Sequence, residues 1–311
     1  MIKRPVFEII GAEFDSGGRV RGTALAPKAL RGHHLVERLR TVGAAVEEGC
    51  DISLAPREPI ASHRPGPPNV NDLLAAEIFC KELYRACTKT LERKNIPLII
   101  GGDHSITIAS FSAVAEHYRK THGPDAKVGL IWVDAHPDLN TPESSPSGNL
   151  HGMVTRILLG DGPASLTSLG SAKPKLLAAN LAQIAVRDVD APEKEFIKSS
   201  SVCVVTMKDI DMHGVYQGMK RCIEAASQDT VGVVVSFDLD SCDPAIAPGV
   251  DTPVRGGLSF REAHLIMEMV ANIPNLLALE LVEYDPNLDV KHASADLSIA
   301  LLESALGKSI L

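Results

Sequence analysis

The chain is predicted to be an α/β protein of three layers, α-β-α, built on a mostly parallel, doubly wound sheet. Three observations predict it. Short apolar runs bounded by turn residues recur along the chain, helical segments alternate with them, and acidic and histidine residues gather directly after the runs. In open α/β sheets the carboxyl ends of the strands are where the chemistry sits. The first strand is expected at residues 6–11. A helix over 71–93 follows, with the apolar stripe Leu73, Ala76, Cys80, Leu83, Cys87 and Leu91. Strands are then expected at 97–100, 128–133, 183–186, 202–205, 231–237 and 276–282. A helix over 260–271 opens with Ser259 and Glu262, the spacing of a capping box. Residues 57–68, with Pro59, Pro65, Pro67 and Pro68, read as an irregular surface connection, and 160–174 as a second loop.

Length and composition bound the rest. The 311 residues are expected to form a single domain spanning 1–311, because the candidate site residues come from the middle and last third and no cut would leave a complete site. A hydrophobic content of 45% is ample for a core. The net charge of −8, the sequence pI near 5.8 and the lack of a Lys/Arg block argue against nucleic acid as a partner. No apolar stretch approaches the roughly 18 residues of a membrane helix. Six scattered cysteines lack the dense spacing of a secreted disulfide scaffold, and a soluble protein of the reducing cytosol is expected.

Three clusters carry the chemistry. His104 closes Gly101-Gly-Asp-His, Asp134, His136 and Asp138 follow the run 128–133, and Asp238 and Asp240 follow 231–237. Two imidazoles and four carboxylates suit a pair of hard divalent ions, Mn²⁺ above Mg²⁺ or Fe²⁺, and the chain has no Cys-x-x-Cys pair for a thiolate zinc site. Alternate residues of an extended chain share a face, so Asp134, His136 and Asp138 can converge. Six ligands suffice for two ions if carboxylates bridge, which would hold the ions about 3.5–4 Å apart around one activated water. An Asp or His at one strand end is more often a turn former or cap, and Asp103 has that alternative. Three clusters after three strands do not.

Two such ions make hydroxide available near neutral pH, and no Gly-x-Ser-x-Gly elbow or Cys-His signature offers a covalent nucleophile. Direct hydrolysis follows, of a phosphoester, an amide or an amidine. Glu283 and Asp190 add negative charge at further strand ends, which favours a cation over a phosphate, and a planar guanidinium pairs well with a carboxylate. A solvated strand end for Glu283, and a cap before Pro192 for Asp190, stand beside that reading.

Gly101-Gly-Asp-His-Ser105, Asp134-Ala-His-x-Asp138, Ser147-Gly-Asn-Leu-His-Gly152 and Ser236-Phe-Asp-x-Asp240 with Asp243-Pro244 resemble the ureohydrolase family, most closely the arginases. The resemblance runs from the first strand to Glu283. It implies hydrolysis of L-arginine to L-ornithine and urea by a hydroxide bridging two Mn²⁺ ions. One ion would be held by His104, Asp134, Asp138 and Asp238, the other by His136, Asp134, Asp238 and Asp240. It further implies that His151, Glu283 and Asp138 carry catalysis, with His151 as proton shuttle and Glu283 orienting the guanidinium beside Thr252. Asn140, Ser147 and Asn149 would bind the substrate α-carboxylate and Asp190 its α-ammonium. Homo-oligomers, trimers or hexamers, are implied as well. Agmatinase, guanidinobutyrase, formiminoglutamase and a non-catalytic binding protein are the alternatives. Pro137, Val154 and Asp251 depart from the usual pattern and bear on rate and substrate range.

Overall fold

The protein is described here by a computed structural model covering residues 6–54, 70–171 and 174–308. The proline-rich connection expected at 57–68 lies outside the described residues. Eight strands form one sheet: β1 (Val6–Glu13), β2 (Ala45–Ser53), β3 (Ile96–Ile100), β4 (Gly129–Val133), β5 (Leu181–Val186), β6 (Cys203–Thr206), β7 (Val233–Asp238) and β8 (Leu276–Val282). Their order is β2-β1-β3-β8-β7-β4-β5-β6, and every pairing is parallel. The chain builds one side of the sheet with β1 to β3 and crosses to the other with β4. It then returns through β7 and β8 to fill the centre.

The central strands are continuous apolar runs because both faces are covered. Alternation of side chains sorts them: Leu98, Ile100, Ile131, Val133, Val235 and Leu279 face one core. Ile99, Leu130, Trp132, Val234 and Ala278 face the other. Helices Leu73–Glu92 and Thr107–His122 cover the second face. Val215–Ser227, Phe260–Val270 and Ala293–Ala305 cover the first. The capping box at Ser259 and Glu262 is formed.

Three details differ from the sequence reading. The edge strand β2 was not anticipated: most of Ala45–Ser53 is exposed and carries Glu47, Glu48 and Asp51, so it shows neither an apolar run nor a clean alternation. Within the loop expected at 160–174, Ala164–Thr167 forms one helical turn. Strand ends shift by one or two residues. Among the described residues no helix is long and apolar enough to cross a membrane.

Candidate metal centre

The four strands at the middle of the sheet, β3, β8, β7 and β4, are neighbours, and each delivers site residues from its carboxyl end. Gly101 and Gly102 make the turn after β3 with φ of 81° and 80°. A Cβ on Gly102 would stand 2.9 Å from the Ala12 carbonyl oxygen, so the turn requires glycine. Asp103 then caps the short turn His104–Ile106 through Ser105 N–H. Its other oxygen accepts the N–H groups of Gly17 at 2.7 Å and Gly18 at 3.1 Å, which pins the 15–18 loop over the site. Asp103 is therefore the cap that the sequence allowed. Burial, together with the nearby Glu283 carboxylate, pushes its carboxyl up to about 6.

Nδ1 of His104 lies 2.9 Å from Oδ2 of Asp134, 3.0 Å from Oδ2 of Asp238 and 3.6 Å from Oδ2 of Asp138. Nδ1 of His136 lies 3.0 Å from Oδ2 of Asp240 and 3.4 Å from Oδ1 of Asp134. Asp134 thus turns one oxygen to each imidazole. Two groupings result, His104 with Asp134 and Asp238, and Asp134 with His136 and Asp240. Asp138 sits beside the first at φ 51°, a left-handed conformation costly for an aspartate and held at a site that aims its side chain inward.

The decisive feature is a pair of atoms. His104 Nδ1 and Asp134 Oδ2 are both buried, and neither completes a hydrogen bond although they are 2.9 Å apart. Two donor atoms converging without the angle a proton would need are suited to an electrophile lying between them. The charge distribution agrees. Burial, reinforced by neighbouring carboxylates, pushes Asp138 and Asp238 well above the usual carboxylate range, and Asp240 also upward. At Asp134 burial is outweighed by the two imidazoles, which hold it below that range. A cluster of acids this crowded gains from exchanging protons for divalent cations.

Around this centre, His151 Nδ1 lies 3.0 Å from Glu283 Oε1, and Thr252 donates to Asp240 Oδ2 at 3.0 Å. Asn140 donates to Asp190 at 2.9 Å, so these two residues meet each other. A cleft of about 120 Å³ is lined by Asp138, Asn140, Ser147, His151, Asp190 and Thr252, among others. Asn149 stands back from it, its amide oxygen accepting from Asn71 at 2.9 Å. Asp190 also opens the helix Ala191–Ser199, where Glu193 accepts its N–H at 2.8 Å, so the cap reading holds too.

Sequence reasoning passed over several contributors. Ser145 and Glu193 line the cleft, and Glu193 also receives Leu139 N–H at 2.8 Å. Trp132 is fully buried, and its ring stacks on His104 with centroids 3.6 Å apart. Arg187 donates to the main-chain oxygens of Asp240, Ser241, Cys242 and Val254, tying the Asp240 turn to the Thr252 segment. No spacing signal marks such contacts. His264 Nδ1 lies 2.8 Å from Ser304 Oγ, while its Nε2 is buried without a partner.

The Arginase family model matches residues 6–307. The chain belongs to the arginase family. It is 41% identical over 303 residues to the arginase of Bacillus subtilis, covering 97% of this chain and 98% of that one. Against the arginase of Bacillus caldovelox the identity is 38% with the same coverage. The solved structure of that enzyme superposes with a TM-score of 0.91, covering 99% of this chain and all of that one. An Entamoeba histolytica arginase solved with L-ornithine is 28% identical with a TM-score of 0.87, covering 99% and 100%. This arginase-family chain is an enzyme of the hydrolase class, and its clustered histidines and aspartates are its candidate metal-binding side chains.

Proposed function

We propose that this chain hydrolyses the guanidinium group of L-arginine to L-ornithine and urea with two Mn²⁺ ions. The observation that carries the reading is Asp134, placed between His104 and His136 with one carboxylate oxygen toward each. His104, Asp134, Asp138 and Asp238 would hold one ion, and His136, Asp134, Asp238 and Asp240 the other, with Asp134 and Asp238 shared. Carboxylate, imidazole and water ligation suits Mn²⁺. When bound, such ions supply hydroxide from water near neutral pH and stabilise charge on the substrate under attack.

The chain's own residues account for the rest. Glu283 has one buried oxygen without a partner and the other engaged by His151 and by His104 N–H, so its free oxygen is available to a guanidinium N–H. His151 moves the proton to the departing nitrogen, and Glu283 holds its ring in place. At the far end of the cleft, Asp190 receives the α-ammonium while Asn140 and Ser147 offer neutral donors to the α-carboxylate; Asn149, which stands back beside Asn71, is left out of this set. The L-ornithine in the E. histolytica arginase structure supports a product of this shape. Residence in the cytosol as a homo-oligomer, a trimer or hexamer, belongs to the same reading.

Urea release from Mn²⁺-loaded enzyme with L-arginine, agmatine, 4-guanidinobutyrate and formiminoglutamate tests it. L-Arginine is expected to be preferred over agmatine about 10–100-fold, since Asn140, the buried donor of the set, costs about 1–3 kcal/mol when left without the carboxylate, whereas the exposed Ser147 returns to water. Equal or better turnover of another member of the set replaces the assignment with a sister activity.

A further inference from the structure

Glu280 is a carboxyl group in the middle of the sheet with no solvent exposure and no cation among its hydrogen-bond partners. Nothing in the proposed reaction uses it. It lies in β8 directly opposite Ser236 of β7, and Ser236 lies opposite Trp132 of β4. Glu280, Ser236 and Trp132 therefore form one row across three strands, on the same face. His104 rests on this row. Its ring stacks on Trp132 with planes 6° apart, and its Nε2 is 2.8 Å from Ser236 Oγ. Two hydroxyls of the covering helix, Thr107 and Ser110, donate to Glu280, and Thr107 Oγ1 is 3.4 Å from Ser236 Oγ.

We infer that Glu280 is a positioning residue for metal binding, fixing through Thr107 and Ser236 the tautomer of His104 that carries its proton on Nε2 and leaves Nδ1 bare.

The direction of the chain follows from its end. Both oxygens of Glu280 receive a hydroxyl, Oε2 from Thr107 and Oε1 from Ser110, so Thr107 commits its single proton to Glu280 and leaves its oxygen as an acceptor. Ser236 then turns its proton toward Thr107 or Glu280, and presents a lone pair to His104. The imidazole proton settles on Nε2. Nδ1, the atom facing Asp134 and Asp238, keeps its lone pair for an ion. A histidine ligand held by an outer carboxylate is a general feature of metal sites, and loss of such a partner typically weakens metal binding 10–100-fold. Here the carboxylate acts at one remove, through hydroxyls sealed inside the sheet. The inference rests on the metal reading above but not on the substrate.

The test begins without metal or substrate. In protein labelled with ¹⁵N-histidine, at a pH above the imidazole titration, His104 is expected to show a protonated Nε2 and a bare Nδ1. Glu280→Gln places an amide donor where an acceptor stood, so Thr107 and Ser236 can reverse and the His104 proton moves to Nδ1. Ser236→Ala removes the acceptor, and Ser236→Thr restores a hydroxyl. Calorimetric titration with Mn²⁺ should show binding at the His104 step weakened about 10–100-fold in Glu280→Gln and Ser236→Ala, with recovery in Ser236→Thr. Parent-like ¹⁵N shifts and Mn²⁺ affinity within twofold in both variants overturn the inference. If Glu280→Gln does not fold, the Ser236 pair decides by the same two readouts. A preference for a guanidinium other than arginine would leave both readouts in place.

Discussion

Oε1 of Glu283 accepts the main-chain N–H of His104 at 2.7 Å and faces His151 Nδ1 at 3.0 Å, so one carboxylate oxygen joins a candidate metal ligand to the candidate proton carrier. Glu283 reaches this position with φ at 63°, and its own N–H donates to the Gly102 carbonyl at 3.0 Å. The backbone strain is offset by these bonds. His151 is anchored from the opposite side as well, its N–H donating to Gly17 at 3.1 Å. Burial depresses the His151 pKa, but the Glu283 carboxylate outweighs it and the net direction is upward.

From that geometry, His151→Asn should leave bound metal unchanged, because no metal ligand depends on the ring. The rate should fall about 10²–10⁴-fold, the usual cost of lost acid–base assistance. Elemental analysis alongside kcat measures both. A variant as active as the parent excludes His151 as the shuttle.

Asp134→Ala should behave differently from changes at His104. Asp134 faces both imidazoles, whereas His104 belongs to only one grouping. After dialysis of Mn²⁺-loaded protein, Asp134→Ala is expected to lose both ions or to retain one weakly. His104→Ala should weaken chiefly one. Two tightly held equivalents in Asp134→Ala would contradict sharing.

Asp251 carries a pH dependence of stability. Both its carboxyl oxygens are buried without a donor, and burial, with Glu283 and Asp285 nearby, pushes its pKa up to about 8. The folded protein therefore holds a proton that the unfolded chain releases near pH 4. Its contribution is fully present below about pH 4 and is lost as pH rises toward and through about 8. Asp251→Asn keeps the neutral shape and removes the loss. The Tm difference between variant and parent should grow from pH 6 to 9, and a constant difference would refute this assignment.

The parallel strands were legible because each is a buried apolar run ending at a polar cluster, and His104, Asp134 and Asp238 announce themselves at those ends. β2 was not legible, since an exposed edge strand with Glu47, Glu48 and Asp51 has no pattern that separates it from a loop. Arg187, Glu193 and Glu280 were invisible for another reason. Each acts through contacts between segments far apart in the chain, such as Glu193 with Leu139 N–H or Arg187 with Val254, and no local spacing encodes these. The pairing of Asn140 with Asp190 was hidden in the same way.

That pairing makes the substrate's far end testable. The Asn140 amide is fixed from both sides, donating to Asp190 at 2.9 Å and accepting from Ser144 at 2.8 Å. Asp190→Ala should remove the charge-assisted partner of a substrate ammonium and leave the candidate metal ligands untouched. A bond of that kind contributes about 1.5–3 kcal/mol, so KM for L-arginine should rise about 10–100-fold with kcat nearly unchanged. Agmatine retains the ammonium and should lose affinity similarly. 4-Guanidinobutyrate has a carboxylate but no ammonium, so its KM should stay within a few-fold of the parent value. Steady-state kinetics on the three compounds separate the alternatives: an equal rise for all three would mean that Asp190 acts only by supporting Asn140 and the helix Ala191–Ser199, not by meeting the ammonium.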